Sequence, residues 1–132
     1  MVRPGWLTRW LGDAGERVAV RYLKRAGFRI LVRNARSRIG EIDVIAMEGN
    51  CIVFVEVKTR SSAEAGHPTE AVTPAKQRQL TRTALAWLKQ RGLLEHRARF
   101  DVIAITWADG AEPVVEHFRN AFEPTGRGQM FS

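Results

Sequence analysis

Four of the six charged side chains between residues 40 and 60 interrupt the apolar runs of the segment "GEIDVIAMEGNCIVFVEVKTR". They are Glu41, Asp43, Glu56 and Lys58. Strand-forming residues surround them, and Gly49-Asn50 has the composition of a two-residue hairpin turn. The segment therefore predicts a β-hairpin in which these three carboxylates and one ammonium group lie among the apolar residues of the strands.

The register of this hairpin follows from its turn. With Gly49-Asn50 as the two turn residues, positions whose numbers sum to 99 lie opposite each other. Asp43 then faces Glu56, and Glu41 faces Lys58, all on one face at the end away from the turn. The remaining positions are apolar on both faces, which predicts that both faces are covered.

Opposed carboxylates repel each other, and burial increases the repulsion. A divalent cation between Asp43 and Glu56 removes the conflict, since Mg²⁺ and Mn²⁺ favour oxygen ligands. Lys58 lies on the same face, where it can orient or deprotonate a water or stabilise a phosphate charge. These groups suit metal-assisted phosphodiester hydrolysis. The alternative is a surface ladder of charges, and a register shift of one residue would separate the two carboxylates.

The elements that position this hairpin can be read from apolar spacing and caps. A first helix is predicted from Asp13 to Ala26, with Glu16 on its core-facing stripe, and an edge strand from Phe28 to Val32. After the hairpin, a second helix is predicted from Pro74, capped by Thr73, to about Arg91. Two more strands follow, at 99–107 and 113–118. This order predicts an α/β or α+β sandwich with helices packed on a mixed central sheet.

Length and composition favour one soluble domain. The 132 residues predict a basic N-terminal segment at 1–11, a single domain at 12–122 and a flexible tail at 123–132. No stretch has the pattern of a signal peptide or a membrane span. The single cysteine, Cys51, lies in the apolar hairpin and is expected to be a buried thiol. A cytoplasmic location without stable membrane association fits best.

Positive charge is concentrated at the N-terminal end. Residues 1–38 hold ten Lys or Arg against two acids, a balance of +8, whereas residues 39–132 hold eleven against twelve. Arginine supplies 17 of the 21 basic groups, and its planar guanidinium suits phosphate contacts. The asymmetry indicates a polyanionic partner, although a basic composition can also serve solubility alone.

The spacing of Asp43 and the Glu-x-Lys of residues 56–58 across a hairpin resembles the restriction-endonuclease-like, PD-(D/E)XK, nuclease superfamily. More narrowly, "GERVAVRYLKRAGFRILVRNARSRIGEIDVIA", "VFVEVKTR" and "EAVTPAKQRQL" resemble the YraN-like family of small bacterial proteins. The resemblance covers roughly residues 12 to 107. It implies a restriction-endonuclease-like domain, with a mixed central β-sheet flanked by helices, similar to archaeal Holliday-junction resolvases.

The resemblance also implies roles for individual residues. The superfamily's helix acid falls on Glu16, its metal-binding aspartate on Asp43, and its Glu-x-Lys on Glu56 and Lys58, with Mg²⁺ or Mn²⁺ as the cofactor. Lys76 or Gln77 matches a polar residue that some of these nucleases place on the following helix. Ile42 departs from the superfamily's proline at that position. Glu41 has no superfamily role and is expected to pair with Lys58.

Two other polar residues have open interpretations. His67 follows the hairpin in the segment "GHPTE" and either touches substrate or is an ordinary loop residue. Asp101 lies in the predicted strand 99–107 and either pairs with an arginine or takes part in catalysis.

The leading hypothesis is a metal-dependent nuclease acting on DNA, including branched or structured DNA. Its expected phosphate contacts are Arg17, Arg21, Arg33, Arg36 and Arg38, with Lys76 and Gln77 from the second helix. The first alternative is a nucleic-acid-binding protein that has the nuclease fold without catalysis, and whose binding depends on salt but not on metal. The second is a protein that recruits a partner or a membrane surface through its basic N-terminus. Resolvases act as dimers, so the resemblance is compatible with a homodimer.

Overall fold

A five-stranded mixed sheet lies at the centre of the protein. The computed structural model describes residues 5–61, 67, 70, 72–108, 110 and 112–124, with side chains from Gly12 onward. The predicted order of elements, helix, three strands, helix, two strands, is confirmed. The elements are α1 (Gly5–Arg25), β1 (Arg29–Arg36), β2 (Glu41–Glu48), β3 (Cys51–Ser61), α2 (Pro74–Gln90), β4 (Ala98–Trp107) and β5 (Val114–Phe118).

The strands lie in the sheet in their order along the chain, from β1 at one edge to β5 at the other. Neighbouring strands are antiparallel except β3 and β4, which are parallel. A parallel pair requires a crossover connection, and α2 lies on that crossover. The predicted α/β class, a mixed central sheet flanked by helices, is therefore confirmed, as is the position of β1 at an edge. The arrangement is compatible with a restriction-endonuclease-like fold.

Each face of the sheet is covered by one helix. Ala19 and Leu23 of α1 pack on Val44, Val53 and Val55 of the hairpin. On the other face, α2 packs on a second cluster that includes Ile45 and Phe54. The two covered faces explain why β2 and β3 are apolar on both sides, as the sequence predicted.

The first helix begins earlier than its sequence suggested. It starts at Gly5 rather than Asp13, so most of the predicted N-terminal segment is helical. Gly12 and Gly15 resemble a helix boundary because glycine has low helix propensity. Gly15 instead allows close packing, since a Cβ atom at this position would lie 2.3 Å from the Thr59 Oγ1 of β3.

The second helix begins as predicted. Thr73 is the N-cap, its side chain accepts a hydrogen bond from the Lys76 N–H, and Pro74 opens the helix. The loop predicted before it includes residues 62–66, 68–69 and 71, and the predicted tail includes 125–132, all of which lie outside the described residues.

Among the described residues, no helix is both long enough and apolar enough to cross a membrane.

The contact between Gly15 and Thr59 gives a testable coupling. Gly15→Ala should lower the free energy of unfolding by about 1–3 kcal/mol, because the added methyl group forces α1 away from β3. In a Thr59→Ala background the same change should be neutral or stabilising, because only the gain in helix propensity remains. Urea unfolding of the four proteins in this cycle measures the coupling. Equal effects of Gly15→Ala in both backgrounds would contradict the close contact.

Candidate metal centre

The hairpin register is confirmed next to the turn. Five pairs from Val44 opposite Val55 to Glu48 opposite Cys51 have the predicted partners. Cys51 is buried, also as predicted. The ladder between β2 and β3 ends at Val44, so Asp43 and Glu56 lie just beyond its last pair.

Where the ladder ends, the side chain of Asp43 takes the place of a main-chain hydrogen-bond acceptor. Its Oδ2 accepts a hydrogen bond from the Val57 N–H at 2.8 Å. The sequence predicted that Asp43 lies directly opposite Glu56 in a continuous ladder, and that prediction is wrong. The two carboxyl groups are nevertheless neighbours, because Asp43 binds the N–H of Val57, the residue directly after Glu56, and Asp43 raises the pKa of Glu56.

The alternation of faces along β2 is interrupted at Asp43. Ile42 and Ile45 are three residues apart, yet both pack in the cluster beneath α2. A regular strand would place them on opposite faces, since side chains alternate with a period of two. The interruption directs Asp43 along the sheet toward β3, which period-two counting did not anticipate.

Strand β1 has a matching irregularity opposite Asp43. It continues to Arg36, beyond the predicted end at Val32, and Val32 and Ala35 pack on the same face although they are three residues apart. Between them, Asn34 has a φ of 53°, a left-handed conformation that asparagine tolerates better than most residues. Sequence reasoning missed Asn34, and an asparagine within a strand-like run was the signal that could have revealed it.

Asn34 connects the sheet to the acid of α1. Its Nδ2 donates a hydrogen bond of 2.9 Å to the Glu16 Oε1, and Arg33 Nε lies 3.7 Å from the same oxygen. Glu16 is 9% exposed. Burial raises the pKa of Glu16, and the Asp43 charge raises it further, against the opposing effects of Arg33 and Asn34. The predicted helix acid thus lies within electrostatic range of Asp43.

Glu56 is a buried carboxyl with a strongly shifted pKa. It is 6% exposed. Burial, followed by the hydrogen bond and the charge of Asp43, raises its pKa to about 8, against the opposing charges of Lys76 and Lys58. The Lys76 ammonium of α2 lies 3.5 Å from the Glu56 Oε2. At neutral pH the Asp43–Glu56 pair therefore holds a proton.

Lys58 follows Glu56 by two residues along β3 and is half-buried. Its charge reaches Glu56, whose pKa it helps to lower. The expected pair between Lys58 and Glu41 is not formed. Glu41 instead lies opposite Arg36 of β1, with 3.5 Å between the Glu41 Oε2 and the Arg36 Nε. Lys58 is therefore not held by Glu41.

The donor chemistry at this end of the hairpin fits a hard divalent cation. Two adjacent carboxyl groups supply oxygen ligands of the kind that Mg²⁺ and Mn²⁺ prefer, once the buried Glu56 has released its proton. Among the described residues, no three His, Cys, Asp or Glu side chains come together as a group that could hold a metal ion. Asp43 and Glu56 would be the inner ligands, and Glu16 would act from the side of α1.

Most of the predicted phosphate contacts lie on the elements around this centre, whereas Arg21 lies beside Trp107 and Val115, on the β4–β5 side of α1. Arg17, Arg21 and Arg38 are exposed. Arg33 and Arg36 form the ion pairs with Glu16 and Glu41 described above. Gln77 differs from these, because its Nε2 donates to the Val72 carbonyl at 3.0 Å and so stabilises the start of α2.

Asp101 pairs with an arginine, Arg99, which was one of the two interpretations of this residue. It is completely buried, and its oxygens accept hydrogen bonds from the Arg99 side chain, the His117 ring and the Asn120 N–H. Burial alone would raise the Asp101 pKa, but these hydrogen bonds lower it below its ordinary value. With its acceptors occupied, Asp101 stabilises the junction of β4 and β5.

His67, the other open residue, is exposed and lies against Phe118 of β5, with 4.9 Å between the ring centroids.

Comparison with known proteins identifies the family. Residues 15–105 match the model of the uncharacterised protein family UPF0102. The chain belongs to that family. The YraN-like resemblance of its motifs is thereby confirmed.

Relatives in several bacteria match most of this UPF0102 chain. The UPF0102 protein of Geobacter sulfurreducens is 54% identical over 113 residues, covering 86% of this chain and 88% of its own. That of Rhodococcus jostii is 52% identical over 112 residues, covering 85% and 95%. Among solved structures, SfsA from Pyrococcus furiosus in complex with Ca²⁺ has a TM-score of 0.43 and 17% identity. That match covers 85% of this chain and 63% of the SfsA chain.

The raised pKa of Glu56 predicts how stability depends on pH. Between about pH 4.5 and pH 8 the folded protein keeps a proton that the unfolded chain releases, so the free energy of unfolding should fall as the pH rises. Glu56→Gln removes this ionisation. The variant should be more stable than the wild type at pH 8.5, by roughly 2–4 kcal/mol, and should lose that advantage near pH 5.

Urea unfolding at several pH values measures this difference. The matched control is Glu95→Gln, a change at an exposed acid, which should follow the wild type throughout. A difference between Glu56→Gln and the wild type that does not vary with pH would contradict the shifted ionisation.

Proposed function

We propose that this protein is a metal-dependent nuclease that hydrolyses phosphodiester bonds in DNA. The observation that carries the proposal is the position of the Asp43 carboxylate on the Val57 N–H, which places it beside the buried Glu56, with Lys58 two residues after Glu56 on β3. A protein selected only for stability would avoid a buried acid beside a second acid, because the Asp43 charge opposes the ionisation of the buried Glu56. A divalent cation resolves this conflict and gives the pair a chemical purpose.

Each side chain has a distinct role in the proposed reaction. Asp43 and Glu56 would hold the cation, and Glu16 would assist from α1. A bound Mg²⁺ or Mn²⁺ supplies Lewis-acid activation and neutralises charge on the phosphate. Lys58 orients the attacking water through its ammonium group. The hydrogen bond from the Val57 N–H fixes the Asp43 carboxylate so that it is preorganised for binding.

The basic residues around the centre form the proposed DNA contact. Arg33 and Arg36 lie on β1, and Arg38 lies in the turn after it, next to the strand that carries Asp43. Arg17 is exposed on α1 one residue after Glu16. Arginine binds phosphate with planar, bidentate geometry, so these residues guide the DNA backbone toward the acids.

The substrate and assembly rest on the motif resemblance. Asp43, Glu56 and Lys58 take the positions of the PD-(D/E)XK motif, and the proposal places the protein in that nuclease superfamily. Its similarity to Holliday-junction resolvases suggests branched or otherwise structured DNA as the substrate. Symmetric cutting of two strands would require two centres, which a homodimer would provide.

One observation favours a second candidate, a DNA-binding protein without catalysis. The Lys76 ammonium lies 3.5 Å from Glu56, so the chain supplies a positive charge of its own to the acidic pair. If Lys76 permanently replaces a metal ion, the protein binds DNA in a way that depends on salt but not on chelators.

A cleavage assay separates the two candidates. Wild-type protein is incubated with single-stranded, duplex, flap and four-way-junction DNA, with Mn²⁺, with Mg²⁺ and with a chelator. We expect cutting only with metal, and a loss of at least about 100-fold in Asp43→Ala and Lys58→Ala. Glu95→Ala, at an exposed acid remote in sequence from the motif, is the matched control and should cut like the wild type.

The folded state of each variant is checked by circular dichroism. Cutting that persists in Asp43→Ala comes from a contaminant and contradicts the proposed centre. Binding to DNA without cutting under any metal condition supports the second candidate instead.

A further inference from the structure

A cavity of about 290 Å³ lies between the edge strand β1 and the last two turns of α2. Val32, Ala35 and Ile42 form an apolar wall on the side of the sheet, and Trp87 lies on the side of α2. The volume is at the lower limit of small-molecule pockets, which span about 300–1,000 Å³. It suits an occupant the size of a single nucleobase.

On the α2 side of this cavity, Trp87 packs between another aromatic ring and a guanidinium group. Phe54 meets Trp87 edge to face, with 6.0 Å between ring centroids. The Arg91 guanidinium lies over the Trp87 ring, 4.2 Å from the ring centroid. Its Nη1 also donates to the Trp87 carbonyl at 3.2 Å, which holds the guanidinium in place. Unstacked bases bind to such planar guanidinium and aromatic surfaces.

The mouth of the cavity is positively charged and polar. Arg36 and Arg91 both line it and both are exposed to solvent. Gln90 adds an amide that can donate and accept hydrogen bonds. An apolar interior with arginines at the rim matches a nucleotide, whose base is flat and whose phosphate is anionic.

The cavity is adjacent to the candidate metal centre through two of its lining residues. Asn34 lines the cavity and also donates a hydrogen bond to Glu16. Ile42, on the apolar wall, directly precedes Asp43. A strand whose phosphate lies at Asp43 and Glu56 therefore places a neighbouring base at the mouth of this cavity.

We propose that this cavity, the β1–α2 pocket, binds one unpaired nucleobase next to the phosphate that is cut. The inference rests on the proposed nuclease function and adds the class of substrate, DNA with an unpaired nucleotide beside the cut bond. A base in regular duplex is stacked and paired, so it would have to be extruded before entering. A tail, flap or junction supplies an unstacked base without that cost.

Binding without cleavage tests this proposal. Two DNAs of identical sequence are compared in the presence of a chelator, one a full duplex and one with a short single-stranded tail, with 2-aminopurine at the first unpaired position. Fluorescence anisotropy gives the affinities, and 2-aminopurine emission reports the environment of the base. Wild-type protein should bind the tailed DNA about 10-fold more tightly than the duplex, which is within the range for stacking of one base.

The informative variant is Arg91→Lys, which keeps the charge but removes the planar stacking surface at an exposed position. It should lose the preference for tailed DNA and the change in 2-aminopurine emission, while its affinity for duplex stays unchanged. Trp87→Leu should behave in the same way. Arg82→Lys, at an exposed position of α2 that does not line the cavity, is the matched control and should keep the preference.

The outcomes separate this pocket from the proposed catalysis. Equal binding of both DNAs by the wild type, or a preference that persists in Arg91→Lys, would contradict base binding in the pocket. Neither result would bear on the proposed metal centre. A preference that Arg91→Lys removes, in a protein that never cuts DNA, supports the pocket while contradicting the nuclease. Failure to bind either DNA overturns the pocket, and the cleavage assay with Mn²⁺ then decides the nuclease separately.

Discussion

The hydrogen bond from the Val57 N–H to the Asp43 carboxylate determines where the two strands of the hairpin separate. By occupying a main-chain donor of β3, the side chain ends the ladder with β2 without leaving that donor unsatisfied. It also places a carboxylate beside Glu56, which burial and Asp43 together keep protonated. The opening in the sheet and the unusual ionisation thus have a common origin in one side chain.

Several features elsewhere in the fold support this arrangement. Asn34, in a left-handed conformation opposite Asp43, shifts the alternation of β1 so that both strands change face at the same place. Gly15 lets α1 approach β3 at Thr59, which brings the following residue, Glu16, to the sheet. From the other face, Lys76 in the first turn of α2 places its ammonium near Glu56. Both helices therefore contribute one charged group to a centre that the sheet holds open.

Much of the fold followed from local patterns. The hairpin turn, the five pairs next to it and the capped start of α2 depend on period-two alternation, a Gly-Asn turn and a Thr-Pro cap. Where those patterns failed, tertiary contact decided. Gly15 looked like a helix boundary because its close contact with Thr59 is not visible in the sequence. The predicted pairing of Asp43 with Glu56 was wrong because counting residues from the turn assumes regular strands. In the structure the Asp43 side chain, rather than a main-chain carbonyl of β2, accepts the hydrogen bond from the Val57 N–H. Their proximity survived because both carboxyl groups still lie where β2 and β3 separate.

Calorimetric titration of the metal-free protein with Mn²⁺, without DNA, examines the acidic pair itself. Because the pair holds a proton at neutral pH, binding a cation should release it. We expect one Mn²⁺ per chain, a proton release that appears when buffers of different ionisation enthalpy are compared near pH 7, and loss of this binding in Asp43→Asn. Absence of binding in the wild type, or binding that is unchanged in Asp43→Asn, would contradict a metal centre at Asp43 and Glu56.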